Sequence, residues 1–169
     1  MKSKKDMTPK IKIFKETKLI GKKLKMFFAN DNTFKLWQSF MPYRSEIKNQ
    51  SGSDLYSVNI YNRVSFFESF NATHEYDKWA AVAVQDFDEI PESMQTLIIP
   101  EGLYAVFHYV GRPSDAQPTF GYIYGEWLPK SGYEIDDRPY FALMDEKYKG
   151  EDPLSEEEFW VPIKQHSNG

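Results

Sequence analysis

The sequence predicts an α+β fold built as a tandem β-α-β-β duplication, with pseudo-twofold symmetry, antiparallel sheets, two helices and a central cleft. Three observations predict it. Much of the chain alternates apolar and polar residues over short stretches, the period of half-buried strands. Two other stretches repeat their apolar residues at helical spacing. Each of these is followed by two strand-like segments, so the order strand, helix, strand, strand occurs twice.

Residues 1–9 read as a basic arm expected to be flexible. Residues 10–28 alternate, with Gly21 as the one interruption, and read as a single long strand. Asn30 or Asp31 can cap the helix that follows. In that helix Phe34, Trp37 and Met41 recur at helical spacing, and Pro42-Tyr43 marks a break near its end. QSGSD (50–54) reads as a polar turn, LYSVNIY (55–61) and KWAAVAVQD (78–86) as strands, and residues 62–77 as an irregular connection. The second half opens with TLIIPEGLYAVFHYVG (96–111), strand-like on both sides of the turn Pro100-Glu101-Gly102. Phe120, Ile123, Tyr124, Trp127 and Leu128 then fall at i, i+3, i+4, i+7 and i+8, one apolar stripe, with Pro129 and Gly132 at its end. PYFALMDEKY (139–148) and EFWVPIK (158–164) are the last strands, joined by an acidic loop. Thr33-Phe34 and Met41-Pro42 bracket the first helix as Thr119-Phe120 and Leu128-Pro129 bracket the second. One domain over 10–166 therefore divides into repeats at about 10–88 and 95–166, with a cleft along the axis that relates them.

Composition narrows the function classes. With no cysteine among 169 residues, disulfides, thiolate chemistry and cysteine-based zinc sites are excluded. His74, His108 and His166 have no metal-ligand spacing, and neither a G-x-S-x-G elbow nor a phosphate-cradling glycine loop occurs, so no metal, cofactor or catalytic constellation is expected. No apolar run is long enough to span a membrane, and a cytoplasmic location is expected. Aromatic residues make up 17% of the chain, an excess that suits an aromatic-lined pocket. Residues 1–25 hold ten Lys against Asp6 and Glu16, a net of +8; against −4 for the whole chain, this leaves −12 for residues 26–169. Such an acidic body repels phosphate backbones and attracts cations, so no direct DNA binding is expected.

LW-SFMP with YSV-IY, IPEGLYAVFHYVG, GEWLPKSGYEIDDRPYF and FWVPI together resemble the GyrI-like effector-binding family, over about Ile11 to Ile163. These are ligand-sensing domains of AraC-type and MerR-type multidrug regulators and stand-alone proteins such as DNA gyrase inhibitor. The resemblance implies a duplicated β-α-β-β unit binding small hydrophobic or cationic aromatic ligands in an aromatic cleft with buried glutamates. At one position the pattern is broken: where a Glu is expected after the strand aromatic, this chain has Ala142. A second family acid maps onto Glu158, with Trp160 two residues later.

Strand alternation puts Tyr140, Ala142 and Met144 on one face, and Glu158, Trp160 and Pro162 on one face of the neighbouring strand. The resemblance implies that both sets point into the cleft, with Phe141, Leu143, Phe159, Val161 and Ile163 packing on the other side. Trp37, Tyr124 and Trp127 complete the candidate ligand contacts. The expected function is sequestering or sensing of aromatic, cationic compounds. One alternative is hydrolysis of strained electrophilic natural products by Glu158 and Tyr140; another is a gyrase-inhibitor-like module that binds a protein.

Overall fold

The computed structural model describes residues 7–27, 32–61 and 75–166. The arm before Met7, the expected helix cap at Asn30 or Asp31, and residues 62–74 of the irregular connection lie outside them. Nine strands are described: β1 (Lys10–Phe14), β2 (Thr17–Phe27), β3 (Gln50–Tyr61), β4 (Glu75–Val84), β5 (Gln95–Ile99), β6 (Gly102–Val110), β7 (Tyr133–Ile135), β8 (Tyr140–Met144) and β9 (Glu156–Gln165). Helix α1 (Thr33–Phe40) runs on into a 3₁₀ turn, Met41–Glu46. Helix α2 is Gln117–Tyr122, a π turn over Ile123–Trp127 and a last turn Leu128–Ser131.

All pairings are antiparallel, in the order β1-β6-β9-β8-β3-β4-β2-β5, with β7 extending the β8 side of β9. The order is palindromic about the β8·β3 pair. One sequence offset carries Lys10–Phe14 onto Gln95–Ile99, the start of β2 at Thr17 onto that of β6 at Gly102, and Leu55–Asn59 onto Tyr140–Met144. The chain is thus an α+β duplication whose pseudo-twofold axis passes between β3 and β8.

The long strand expected over 10–28 is broken at Lys15-Glu16, and its two pieces go to opposite ends of the sheet. β1 pairs with β6 of the second repeat, while β2 stays with β4. The second repeat breaks in the same way at Pro100-Glu101, so that β5 crosses to β2 of the first. Alternation reports burial but not partner, and continued alternation through the break hid it. Leu19, Val58, Ile99, Tyr104 and Phe141 are wholly buried on the face that carries no helix. Curling of the sheet, completed by the two crossing strands, is what removes them from water.

Other expectations are corrected. QSGSD is the start of β3, with a bulge between Gln50 and Leu55, not a free turn. In α1 the buried positions are Leu36 and Phe40, whereas Phe34 is 75% exposed. Pro129 lies inside the last turn of α2, directly after the π turn over Ile123–Trp127, and does not end the helix as expected. The helix ends at Gly132, whose φ of 83° is a left-handed cap. Between Ala80 and Ala81 of β4 and Gly21 of β2 the backbones approach so closely that a Cβ on Gly21 would lie 2.1 Å from the Ala80 carbonyl oxygen.

Candidate functional site

Both helices pack on one face of the sheet, each over its own half. Helix α1 covers Ile20, Met26, Ala80 and Val82. Helix α2 covers Ala105, Phe107, Phe159, Val161 and Ile163. The central strands β8 and β3 are left between the helices as the floor of a cleft. Register gives the floor in rows. One runs Tyr109, Glu157, Met144, Leu55 and Val82; the next Phe107, Phe159, Ala142, Ser57 and Ala80; the third Ala105, Val161, Tyr140, Asn59 and Lys78. The middle row carries small side chains at the axis, Ala142 beside Ser57.

The register overturns the expected sharing of faces. Ala142 pairs with Phe159, and Glu158 pairs with Leu143 and His108. Tyr140, Ala142 and Met144 therefore share their face with Glu157, Phe159, Val161 and Ile163. Glu158 and Trp160 lie on the opposite face with Phe141 and Leu143, where Trp160 Nε1 donates to Glu158 Oε1 at 3.1 Å and its ring stacks on Phe141 at 5.3 Å. A shift of one residue in register moves every side chain to the other face. In the run Glu156-Glu157-Glu158 nothing local fixed the parity. Glu158 and Tyr140, the pair considered for hydrolysis, are thus separated by the sheet.

The acid on the cleft floor is Glu157, which is 8% exposed. Among the described residues its carboxyl has no hydrogen bond or ion pair. Burial pushes it up to about 7; the Lys78 ammonium pulls it down and Glu151 adds to the rise. A carboxylic acid so placed stands ready to ionise when a positive group enters. The pseudo-twofold axis carries Glu157 onto Lys78, so the two repeats place opposite charges at equivalent positions.

Of the other candidates, Tyr124 faces the cleft and borders a cavity together with Tyr61 and Tyr140. Trp127 packs edge-to-face on Phe107 at 5.2 Å and over Tyr133 at 6.4 Å, on the side of α2 turned from the axis. Trp37 is partly buried against the α1 core, edge-to-face with Phe40 at 5.7 Å. Phe120, not singled out from the sequence as a contact, forms the α2 wall: it stacks on Phe159 at 4.6 Å and meets Tyr140 edge-on at 6.0 Å. Tyr61 and Asn59 were also missed. Their signal was present, because alternation along β3 puts both on the face of Ser57.

No described helix is long and apolar enough to cross a membrane. Among the described residues no cluster of His, Asp and Glu could hold a metal ion.

Comparison with known proteins agrees with this architecture. A family model described as the GyrI-like small molecule binding domain matches residues 7–164. A DNA gyrase inhibitor of Yersinia enterocolitica is 40% identical over 45 residues, which is 27% of this chain and 29% of that protein. This match spans less than a third of that relative's length. Among solved structures, SAV2435 bound to tetraphenylphosphonium superposes with a TM-score of 0.69 at 15% identity, covering 94% of each chain. The EcmrR C-terminal domain superposes with a TM-score of 0.67 at 14% identity, covering 95% of this chain and 99% of that one.

Proposed function

The chain belongs to the GyrI-like small molecule binding domain family, and from that premise we propose that its inter-helix cleft captures aromatic organic cations. The observation that carries this reading is Glu157: a buried carboxyl with no hydrogen bond or ion pair among the described residues, on a floor where the rings of Tyr109, Phe159 and Tyr140 and the small Ala142 and Ser57 lie among aliphatic side chains, with Lys78 as the opposite charge. A neutral pocket would hold an apolar residue there. Burying an ionised carboxylate unpaired is costly, and a bound cation removes that cost while gaining the attraction. The faces of Phe120, Phe159 and Tyr140 add cation–π attraction of about 0.5–2 kcal/mol each where a cation meets them. Ala142, where the resemblance leads one to expect a carboxylate after the strand aromatic, leaves Glu157 as the acid to compensate one charge, which favours monocations.

Tetraphenylphosphonium, the compound bound to SAV2435, is a suitable probe. Titration calorimetry at pH 8 should show saturable binding that Glu157→Gln weakens by roughly 10- to 100-fold, the loss of one buried charge pair. Glu158→Gln, on the opposite face, should change it by less than about twofold. Loss with Glu158→Gln and retention with Glu157→Gln would overturn the assignment.

A further inference from the structure

Residues 136–139 leave the ladder between β7 and β8, and a cavity of about 120 Å³ opens there beside Tyr61, Tyr124 and Tyr140. That is room for roughly four waters at ~30 Å³ each, or for one small functional group. Its polar lining is unusual. The hydroxyls of Tyr124 and Tyr140 have no hydrogen-bond partner among the described residues, although Tyr140 is only 7% exposed. Tyr61 Oη accepts from Asn59 Nδ2 at 2.7 Å, and Asn59 Oδ1 is buried with no partner. Buried polar groups are ordinarily paired, so the unpaired hydroxyl of the buried Tyr140 marks a place where something polar is received, with the hydroxyl of Tyr124, a residue 36% exposed, beside it.

We infer that this cavity is a subsite for an uncharged oxygen acceptor (a carbonyl, ester or amide) carried by the same aromatic cation whose charge faces Glu157. The inference rests on the cation-binding reading of the cleft. Phenols are chiefly donors while protonated, and burial holds both Tyr124 and Tyr140 above their ordinary range, so they remain O–H donors at neutral pH. An anionic acceptor is disfavoured by Asp136 and Asp137, which also border the cavity. Arg138, the nearby cation, is held in place by Nε donating to Asp136 Oδ2 at 2.9 Å and Nη2 to the Leu103 and Ile163 carbonyls at 2.7 and 3.0 Å, while Nη1 is buried against Gly102 with no partner among the described residues. Between Glu157 and Tyr140 lie one strand spacing and four residues, roughly 14 Å at the backbone from spacings of ~4.8 and ~3.4 Å.

The test compares two phosphonium probes of nearly equal size, 4-(methoxycarbonyl)benzyl-triphenylphosphonium and 4-ethylbenzyl-triphenylphosphonium, by calorimetry. The ester should bind the unaltered protein at least fivefold more tightly than the ethyl compound. In Tyr124→Phe that advantage should fall by at least half, while the ethyl compound binds as before. Glu157→Gln should weaken both probes alike. Phenylalanine keeps the ring, and an unchanged ethyl-probe affinity certifies the fold of the variant. Equal affinities for the two probes in the unaltered protein would overturn the subsite and leave the cation cleft standing, with water as the cavity's occupant. Binding of neither probe would overturn the cation cleft and the subsite together.

Discussion

Replacing Glu157 by Gln should stabilise the protein at alkaline pH and hardly at all at acid pH. The carboxyl rises from an ordinary 4.5 to about 7 on folding, chiefly through burial. A raised carboxyl binds its proton more tightly in the folded state. Between these two values the folded protein keeps a proton that the unfolded chain has released, so stability falls as pH rises and the loss is complete above pH 7. The shift corresponds to about 3.5 kcal/mol, at about 1.4 kcal/mol per pKa unit. Glutamine mimics the protonated acid in size and polarity but cannot ionise. Urea denaturation of the parent and Glu157→Gln, without ligand, should therefore give a stability difference that grows by about 2.5 kcal/mol in favour of the variant between pH 5 and pH 8. Other groups titrate identically in both proteins and cancel in the difference. A gap that stays constant with pH would refute the reasoning, because it would mean that the carboxyl titrates alike in folded and unfolded chains.

Three further outcomes follow from the geometry. The affinity for tetraphenylphosphonium should rise with pH through about 7 and level off above it, since binding selects the ionised form of Glu157; a flat profile by fluorescence titration between pH 5.5 and 8.5 would contradict this. Gly21→Ala should cost more than about 3 kcal/mol in urea denaturation, because the new methyl meets backbone atoms of β4 that cannot move aside. Trp127→Ala should destabilise by about 3–5 kcal/mol through lost packing on Phe107 and Tyr133; at temperatures where the variant is folded it should keep its phosphonium affinity within about threefold.

Much of the fold was legible because each half-buried strand and each helix stripe writes its own period into the sequence. LYSVNIY, YFALM and FWVPI are strands for that reason, and Gly132 ends α2 because its left-handed conformation suits glycine. What was not legible is the information that passes between strands. Whether Glu157 or Glu158 enters the cleft depends on pairing with β8 and β6, contacts distant in sequence, and all three glutamates of the run are equally compatible with alternation. The break at Lys15-Glu16 was hidden in the same way, as both pieces alternate. The face of α1 was misjudged because Phe34 and Met41 mark one stripe while the sheet beneath receives Leu36 and Phe40. Tyr140 and Ala142 reached the cleft floor, but the partner acid came from the adjacent position.

The exchange of β1 and β5 between the repeats is the connectivity of a domain-swapped dimer written into one chain. Two separate copies of a β-α-β-β unit, each lending its leading strand to the other, would have the same strand order and the same dyad. Fusion of such copies frees the two sides of the cleft to diverge, which a symmetric homodimer forbids, since any residue at the dyad is there presented twice. Glu157 facing the equivalent Lys78, and Ala142 facing Ser57, are differences that only the fused form can hold. An asymmetric ligand can then be met by an asymmetric site, while the lent strands keep the halves from drifting apart.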